Sequence, residues 1–236
     1  MTETQLALDL GHRPALGRDD FLVAPCNAEA VAWLERWPDW PSHALAVFGP
    51  PGSGKSHLLA AFALHHGEGQ VATVAAPELT AEMVPDLLAR AQVVVVEDLD
   101  RLADETALFH LWNLAKETGR WLLLAGRAAP ARLKVRLPDL RSRLSATPAV
   151  GIGTPDESLL AALLVKQFAD RQLRVGEDVV AYILSRMDRS FAAARNVVEA
   201  LDQASLAERR AITVPLARAV LEGLDKDERQ GELEWE

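Results

Sequence analysis

The feature that most restricts the fold of this chain is a glycine-rich segment at residues 49–56, with the sequence Gly-Pro-Pro-Gly-Ser-Gly-Lys-Ser. Two glycines separated by four residues, followed by lysine and a hydroxyl residue, form the phosphate-loop pattern. A strand-like run at 43–48 precedes the segment, and a helix-like run at 56–64 follows it. This order is the context that the motif requires, and it favours a bound nucleotide over a tight glycine turn without a ligand.

Each part of the segment has a predicted role toward a polyphosphate. Glycine lets consecutive backbone N–H groups turn inward around the phosphates, and the positive end of the following helix favours an anion. Lys55 is predicted to reach the β- and γ-phosphates, and Ser56 to place its hydroxyl on Mg²⁺. The predicted phosphate-binding residues are Gly49, Pro50, Pro51, Gly52, Ser53, Gly54, Lys55 and Ser56.

Strand and helix patterns alternate after this segment, which predicts a parallel sheet with helices on both faces. The predicted strands are 70–75, 93–96, 121–126 and 149–153, and the predicted helices are 78–89, bent by Pro85, and 105–118. Beyond Pro155 no strand pattern occurs, and helices are predicted at 156–172, 177–187, 190–208 and 214–223. The predicted fold class is therefore α/β, with a flexible arm at 1–20, a P-loop base domain at 21–154, a small all-α lid domain at 155–225 and a charged tail at 226–236.

Charged residues follow two of the predicted strands. The run of four valines at 93–96 ends in Glu97, Asp98 and Asp100. Ligands of such sheets bind at the carboxyl ends of strands, so Glu97 and Asp98 are predicted to handle Mg²⁺ and the attacking water; the alternative is an acidic cap on the next helix. The strand at 121–126 is followed by a basic stretch, which is either a solvated face or a source of arginines for a phosphate: Arg127, Arg132, Lys134, Arg136, Arg141 and Arg143.

The composition limits the partners and the compartment. The net charge is −9 and the pI is near 5.2, so the whole surface is a poor match for a DNA backbone, and no direct sequence-specific DNA binding is expected. No apolar run approaches the length of a membrane span, and the N-terminus lacks a basic-then-apolar signal pattern. The one cysteine, Cys26, agrees with a reducing compartment. We therefore expect a cytoplasmic protein without a membrane partner.

The N-terminal segment carries a short pattern of its own. Gln5, Leu6, Leu8 and Leu10 place leucines at alternate positions behind a glutamine. An extended peptide of this kind can dock its leucines in an apolar groove of a partner. A frayed terminus that happens to contain leucines is the alternative interpretation of the same pattern.

Taken together, the motifs resemble those of the AAA+ ATPases, and in particular the bacterial replication initiator DnaA. The sequences Gly-Lys-Ser-His-Leu-Leu at 54–59 and Leu-Pro-Asp-Leu-Arg-Ser-Arg-Leu at 137–144 resemble the Hda family of DnaA-related regulatory inactivators. The segment from Gln5 to Leu10 is similar to the sliding-clamp-binding motif of that family, which favours docking over fraying. The resemblance extends from the arm to the lid.

The resemblance also implies roles for single residues. Arg143 takes the place of the arginine finger and Arg195 that of the second sensor. Val23 and Asn27 fall near where the family holds adenine, and His57 lies in the matching nucleotide-binding run. Two departures predict poor hydrolysis by the chain itself: Glu97 stands where the family has aspartate, and Ala125-Gly126-Arg127 replaces a polar first sensor.

The function implied by the resemblance is regulation of replication initiation. With ADP or ATP and Mg²⁺ bound, such a protein attaches to the DNA-loaded sliding clamp of DNA polymerase III, the beta clamp, and presents Arg143 to ATP held by DnaA. The family also associates through contacts that span the nucleotide, so a homo-oligomer is a further expectation. Two other functions stay open: an autonomous ATPase that remodels a partner, as helicase loaders do, and a nucleotide-stabilised clamp adaptor for which Arg143 is dispensable.

Overall fold

The computed structural model describes residues 14–15, 18–67, 69–208 and 210–233, and the predicted clamp-binding hexapeptide lies outside these ranges. The chain divides into two compact units, one reaching Gly153 and one beginning at Thr154. Within the described ranges, no helix is both long and apolar enough to cross a membrane.

The first unit is built on a five-stranded sheet in which every pairing is parallel. Its strands are β3 (Ala44–Phe48), β4 (Val71–Ala75), β5 (Val93–Glu97), β6 (Trp121–Gly126) and β7 (Ala149–Gly151), in the spatial order β4-β5-β6-β3-β7. The strands are rich in buried valine, leucine and alanine, as expected when helices cover both faces of a sheet. The predicted α/β class with a parallel sheet is confirmed.

Helices pack on both faces of this sheet. They are α1 (Ala28–Glu35), α2 (Lys55–His66), α3 (Val84–Arg90), α4 (Glu105–Glu117) and α5 (Pro138–Ala146). Successive strand residues point to opposite faces, so Leu123 joins a core with α1 and α2, whereas Leu122 and Leu124 join a core with α3, α4 and α5. The two cores fix the sheet between its helices.

The second unit contains only helices among its described residues. They are α6 (Glu157–Asp170), α7 (Glu177–Leu184), α8 (Phe191–Glu208) and α9 (Val214–Leu233). Leu164 and Phe168 of α6, Ile183 of α7, and Val198 and Leu201 of α8 are buried in one cluster. This unit corresponds to the helical lid expected from the sequence.

Three local predictions differ from the structure. The helix predicted at 78–89 is wrong in its start, because α3 begins only at Val84. Pro85 does not bend this helix but lies in its first turn, where its missing N–H costs nothing. Short 3₁₀ turns at Ala76–Glu78 and Ala81–Met83 precede it. Within the predicted arm, β1 (Pro14–Ala15) and β2 (Arg18–Leu22) form an antiparallel pair.

The third difference is at the C-terminus. Helix α9 continues to Leu233 and so runs into the segment predicted to be a charged tail. Its charged residues, such as Lys226, Glu228 and Arg229, have good helix propensity, which composition alone does not separate from a solvated tail. The predicted end of this helix at 223 was therefore too early.

Asn27 fixes the segment between β2 and α1. It stands at the N-cap position of α1, but its side chain does not cap the helix. Instead, its Oδ1 accepts a hydrogen bond from the Ala24 N–H at 2.8 Å, and its Nδ2 donates to the Leu22 carbonyl at 3.0 Å. Because the residue is only 2% exposed, both bonds are shielded from water.

We expect Asn27→Ala to lower the free energy of unfolding by about 1–3 kcal/mol, because it leaves the buried Ala24 N–H without an acceptor. Chemical denaturation would measure the change. The matched control is Asn196→Ala, at an exposed position of α8, which should stay within about 0.5 kcal/mol of the parent. Equal effects of the two substitutions would show that the segment does not depend on the Asn27 amide.

Candidate functional site

The phosphate-loop segment adopts a conformation that depends on its glycines. Gly52 and Gly54 have φ values of +69° and +89°, in the left-handed region that side chains other than glycine rarely enter. A Cβ atom at Gly49 would collide with the backbone carbonyl oxygen of Ile152. The loop that joins β3 to α2 therefore depends on glycine at these positions, as phosphate cradles do.

Lys55, the first residue of α2, folds back over this loop. Its Nζ donates to the carbonyl oxygens of Gly49 at 2.8 Å and Pro50 at 2.9 Å. Burial lowers the pKa of Lys55, and the charge of Arg127 lowers it further, whereas Asp100, Asp98 and Glu97 act in the opposite direction. A partly desolvated ammonium held by neutral carbonyls gains energy from an anionic ligand, so the residue fits its predicted role.

The two residues predicted to serve Mg²⁺ meet at the edge of the sheet. Ser56 Oγ donates to Glu97 Oε2 at 2.5 Å, although the residues are 41 positions apart. Both supply oxygen ligands, which Mg²⁺ prefers, and Mg²⁺ usually completes its shell with phosphate oxygens and water. The described residues contain no cluster of three His, Cys, Asp or Glu side chains suited to a metal.

The chain turns sharply after Glu97. Asp98 is exposed and has a φ of +53°, a left-handed conformation that aspartate tolerates better than most residues. A 3₁₀ turn at Leu99–Arg101 follows and brings Asp100 under the end of β6. Asp100 Oδ1 accepts a hydrogen bond from the Arg127 N–H at 2.8 Å, and its Oδ2 lies 3.3 Å from Arg127 Nε.

Sequence reasoning assigned no role to the pair of Asp100 and Arg127. In the sequence, Arg127 counted among the arginines that could face a phosphate, and Ala-Gly-Arg at 125–127 counted as the loss of a polar sensor, but nothing linked Arg127 to Asp100. The structure brings Arg127 beside the phosphate loop, because β6 pairs with β3 and Arg127 follows β6 directly.

Residues Val23 and Asn27 lie in a segment that borders the same loop. The Gly153 N–H donates to the Cys26 carbonyl at 2.8 Å, and the Ile152 N–H donates to the Phe48 carbonyl at 2.7 Å. Residues 152–153 thus link the segment at 23–27 to the strand that enters the loop. The adenine contact predicted for Val23 and Asn27 stays a prediction, and the Asn27 amide is already engaged by backbone groups.

Two further predicted residues are exposed. His57 lies in the first turn of α2, next to Ser56. Arg195 lies on α8, in the second compact unit. The role proposed for each in nucleotide binding stays a prediction.

Helix α5, which carries Arg143, is attached to α4 by two contacts one helical turn apart. The carboxylate of Glu105 accepts hydrogen bonds from the backbone N–H groups of Arg136, at 2.9 Å, and Leu137, at 2.7 Å. The Arg143 guanidinium lies 4.5 Å from the centre of the Phe109 ring, a cation–π contact. Both contacts hold the arginine in a defined place on the surface of the first unit.

Known proteins resemble this chain in the sequence of its second unit and in its fold. Residues 156–221 match the family model of the Hda lid domain. A Haemophilus influenzae protein described as uncharacterized is 28% identical over 185 residues, which cover 74% of this chain and 80% of that protein. Domain III of the Thermotoga maritima replication initiation protein DnaA has a similar fold, with a TM-score of 0.75, 17% identity, and 93% of this chain and 98% of that chain covered. AMPPCP-bound DnaA from Aquifex aeolicus is similar at a TM-score of 0.64 and 18% identity, with 92% and 69% covered.

The parallel sheet, the phosphate loop and the helical second unit show the AAA+ fold. Within this fold, the second unit is similar to the lid domain of Hda, and the solved structures of similar fold include DnaA. The resemblance noted in the sequence is confirmed at this level.

We expect Glu105→Gln to lower the free energy of unfolding by about 1 kcal/mol at pH 7, because an amide oxygen is a weaker acceptor than a carboxylate. Hydrogen bonds from Arg136 and Leu137 lower the pKa of Glu105 from its ordinary value near 4.5. The carboxylate's contribution is therefore complete above that ordinary value and is lost as the pH falls through the lower folded pKa.

Urea denaturation at several pH values would measure this difference. The control is Glu117→Gln at the end of the same helix, which should show no comparable loss at pH 7. A difference between parent and Glu105→Gln that persists unchanged at pH 2 would contradict the assignment to ionised Glu105.

Proposed function

We propose that this protein regulates replication initiation by stimulating hydrolysis of ATP bound to the initiator DnaA. In this proposal it binds ADP or ATP with Mg²⁺, attaches to the DNA-loaded sliding clamp through residues 5–10, and supplies Arg143 in trans. The observation that carries the proposal is the match of residues 156–221 to the Hda lid domain. The phosphate loop and the attachment of Arg143 support it.

Nucleotide binding is supported by the geometry of the loop and by the relatives. A DnaA of similar fold is described as bound to AMPPCP. Here the glycine conformations, Lys55, and the paired Ser56 and Glu97 suit a polyphosphate with its metal ion. Bound nucleotide would supply negative charge to Lys55 and oxygen ligands to Mg²⁺, while Asp98 and Glu97 would orient water for any hydrolysis by the chain itself.

The proposed action on DnaA depends on Arg143. A guanidinium is permanently charged and has a planar set of donors, so it can stabilise the charge that develops on a transferring phosphoryl group. The contacts of α5 with Glu105 and Phe109 limit the arginine's freedom before a partner binds, which reduces the entropy lost on association. An arginine supplied in trans accelerates such hydrolysis by about 10³–10⁵.

The clamp would act by raising the local concentration of the regulator. A protein held on a DNA-loaded clamp meets a DnaA molecule on the same DNA at a high effective concentration. Stimulation would then depend on loaded clamp, which ties it to active replication. Association between copies of the chain is a further possibility within the same proposal.

We expect Arg143→Ala to reduce stimulation of DnaA-bound ATP hydrolysis by about a hundredfold or more, because the transition-state charge loses its cation. The assay follows hydrolysis of DnaA-bound ATP with the protein added, with and without clamp loaded on DNA. Arg141→Ala is the matched control, since Arg141 is an exposed arginine of the same helix and should keep full stimulation.

Thermal unfolding and clamp binding of Arg143→Ala should equal those of the parent. Full stimulation by this variant would contradict the role of Arg143 as an arginine finger and would favour a clamp adaptor. No stimulation by the parent, together with rapid turnover by the protein alone that is lost in Glu97→Gln, would favour an autonomous ATPase.

We expect the double substitution Leu8→Ala and Leu10→Ala to weaken binding to the sliding clamp by at least about tenfold, because buried apolar anchors dominate peptide docking. Surface plasmon resonance with immobilised clamp would measure it, with Leu16→Ala as a control outside the hexapeptide. At high protein concentration without clamp, the double variant should stimulate DnaA as well as the parent does. Unchanged clamp binding would assign the contact to another part of the chain.

A further inference from the structure

We propose that Arg186 and Arg218, which meet at Tyr182 on the surface of the second unit, form a contact site for the phosphodiester backbone of duplex DNA. We call these three residues the Tyr182 patch. The patch would bind backbone charge without reading bases. The inference goes beyond the proposed function, and only its use on clamp-loaded DNA rests on that function.

The two arginines come from different parts of the chain and converge on one aromatic ring. Tyr182 lies on α7, Arg186 follows the end of that helix, and Arg218 lies on α9. The Cζ atom of Arg186 is 5.4 Å from the centre of the Tyr182 ring, and that of Arg218 is 5.9 Å from it, so both are within cation–π range. Arg218 Nε also donates a hydrogen bond to Tyr182 Oη at 3.3 Å. The tyrosine therefore holds two positive charges close together.

These two arginines differ from other cations of the second unit in what holds them. Carboxylates lie within salt-bridge distance of Lys166, Arg171, Arg189 and Arg210, namely those of Asp170, Asp202, Glu157 and Glu208. Within the described part of the chain, the contacts of Arg186 and Arg218 are instead with the uncharged Tyr182, and both arginines are exposed. Their charge is therefore accessible to an anion from solution.

The donors of the Tyr182 patch suit phosphate oxygens. A contact at Nε leaves the donors on the two terminal nitrogens of Arg218 for a second acceptor, and phosphate matches their planar geometry. The Tyr182 hydroxyl accepts from Arg218 and keeps its own hydrogen for donation. Contact with the ring also restrains both arginines before a ligand binds, which reduces the entropy lost on binding. Duplex DNA offers a continuous row of charges, about one per 1.7 Å of helix axis, so neighbouring phosphates can meet both guanidinium groups.

Nearby negative charge limits the strength of this contact. The hydrogen bond with the Tyr182 hydroxyl is the main cause that raises the pKa of Arg218, and the charge of Glu222 acts in the same direction. An acid within this range lowers the positive potential of the patch, and the chain as a whole has a net charge of −9. Binding to free DNA is therefore expected to be weak. Attachment to a DNA-loaded clamp would compensate for this by raising the local concentration of DNA.

The test measures binding of the full chain to a fluorescently labelled DNA duplex by anisotropy, at a series of salt concentrations. We expect the double substitution Arg186→Gln and Arg218→Gln to weaken binding about tenfold at about 50 mM salt, because two phosphate contacts are lost. The slope of log affinity against log salt should become shallower by about two for the same reason. Glu222→Gln should strengthen binding, since it removes the negative charge that acts on Arg218.

The control with the same change in charge is Arg174→Gln together with Arg210→Gln, two exposed arginines of the same unit outside the patch, which should leave the salt slope unchanged. Thermal unfolding would verify that each variant remains folded. Equal losses for the two pairs, or no binding of the parent chain to the duplex, would overturn the inference. A polyglutamate peptide that displaces the duplex at an equal concentration of charges would also overturn it and would assign the patch to an acidic protein partner. The assay contains neither clamp nor DnaA, so its result is independent of whether the proposed function holds.

Discussion

The parallel pairing of β3 with β6 is the constraint on which the candidate site depends. It ends both strands at one edge, so that the phosphate loop and Arg127 start side by side, and the pairing of β6 with β5 adds Glu97 to the same edge. The strands are buried on both faces, and helix packing on each face prevents them from sliding. Groups far apart in sequence therefore meet at this edge, where some also bond directly, as Ser56 does with Glu97.

The segment between β5 and α4 connects this edge to a second surface. Its beginning contains Asp98 and Asp100, which border the chain's own phosphate loop. Its end is the first turn of α4, where Glu105 holds the backbone in front of α5, and Phe109 lies one turn further on. One short stretch thus borders both the site proposed for the chain's own nucleotide and the arginine proposed for a partner's nucleotide.

The parts of this arrangement that the sequence predicted are those with local signals. The glycine pattern predicted the loop, and the alternation of strand and helix patterns predicted the parallel sheet, because each depends on residues close together in the chain. The contacts of Asp100 with Arg127 and of Phe109 with Arg143 join separate elements, and no spacing rule indicates them. Asn27 stands at the N-cap position of α1, but its amide bonds to other backbone groups, which no local pattern indicates. The sequence predicted that Pro85 bends a helix, whereas in the structure Pro85 lies in the first turn of α3.

The way Glu105 holds the loop before α5 bears on how this protein can change through evolution. The carboxylate binds main-chain N–H groups at positions 136 and 137, which nearly every amino acid provides. The exposed side chain of Arg136 can be replaced without loosening the attachment, with proline as the exception because it lacks the N–H. The surface around Arg143 is therefore free to adapt to a diverging partner while the helix that carries the arginine keeps its place.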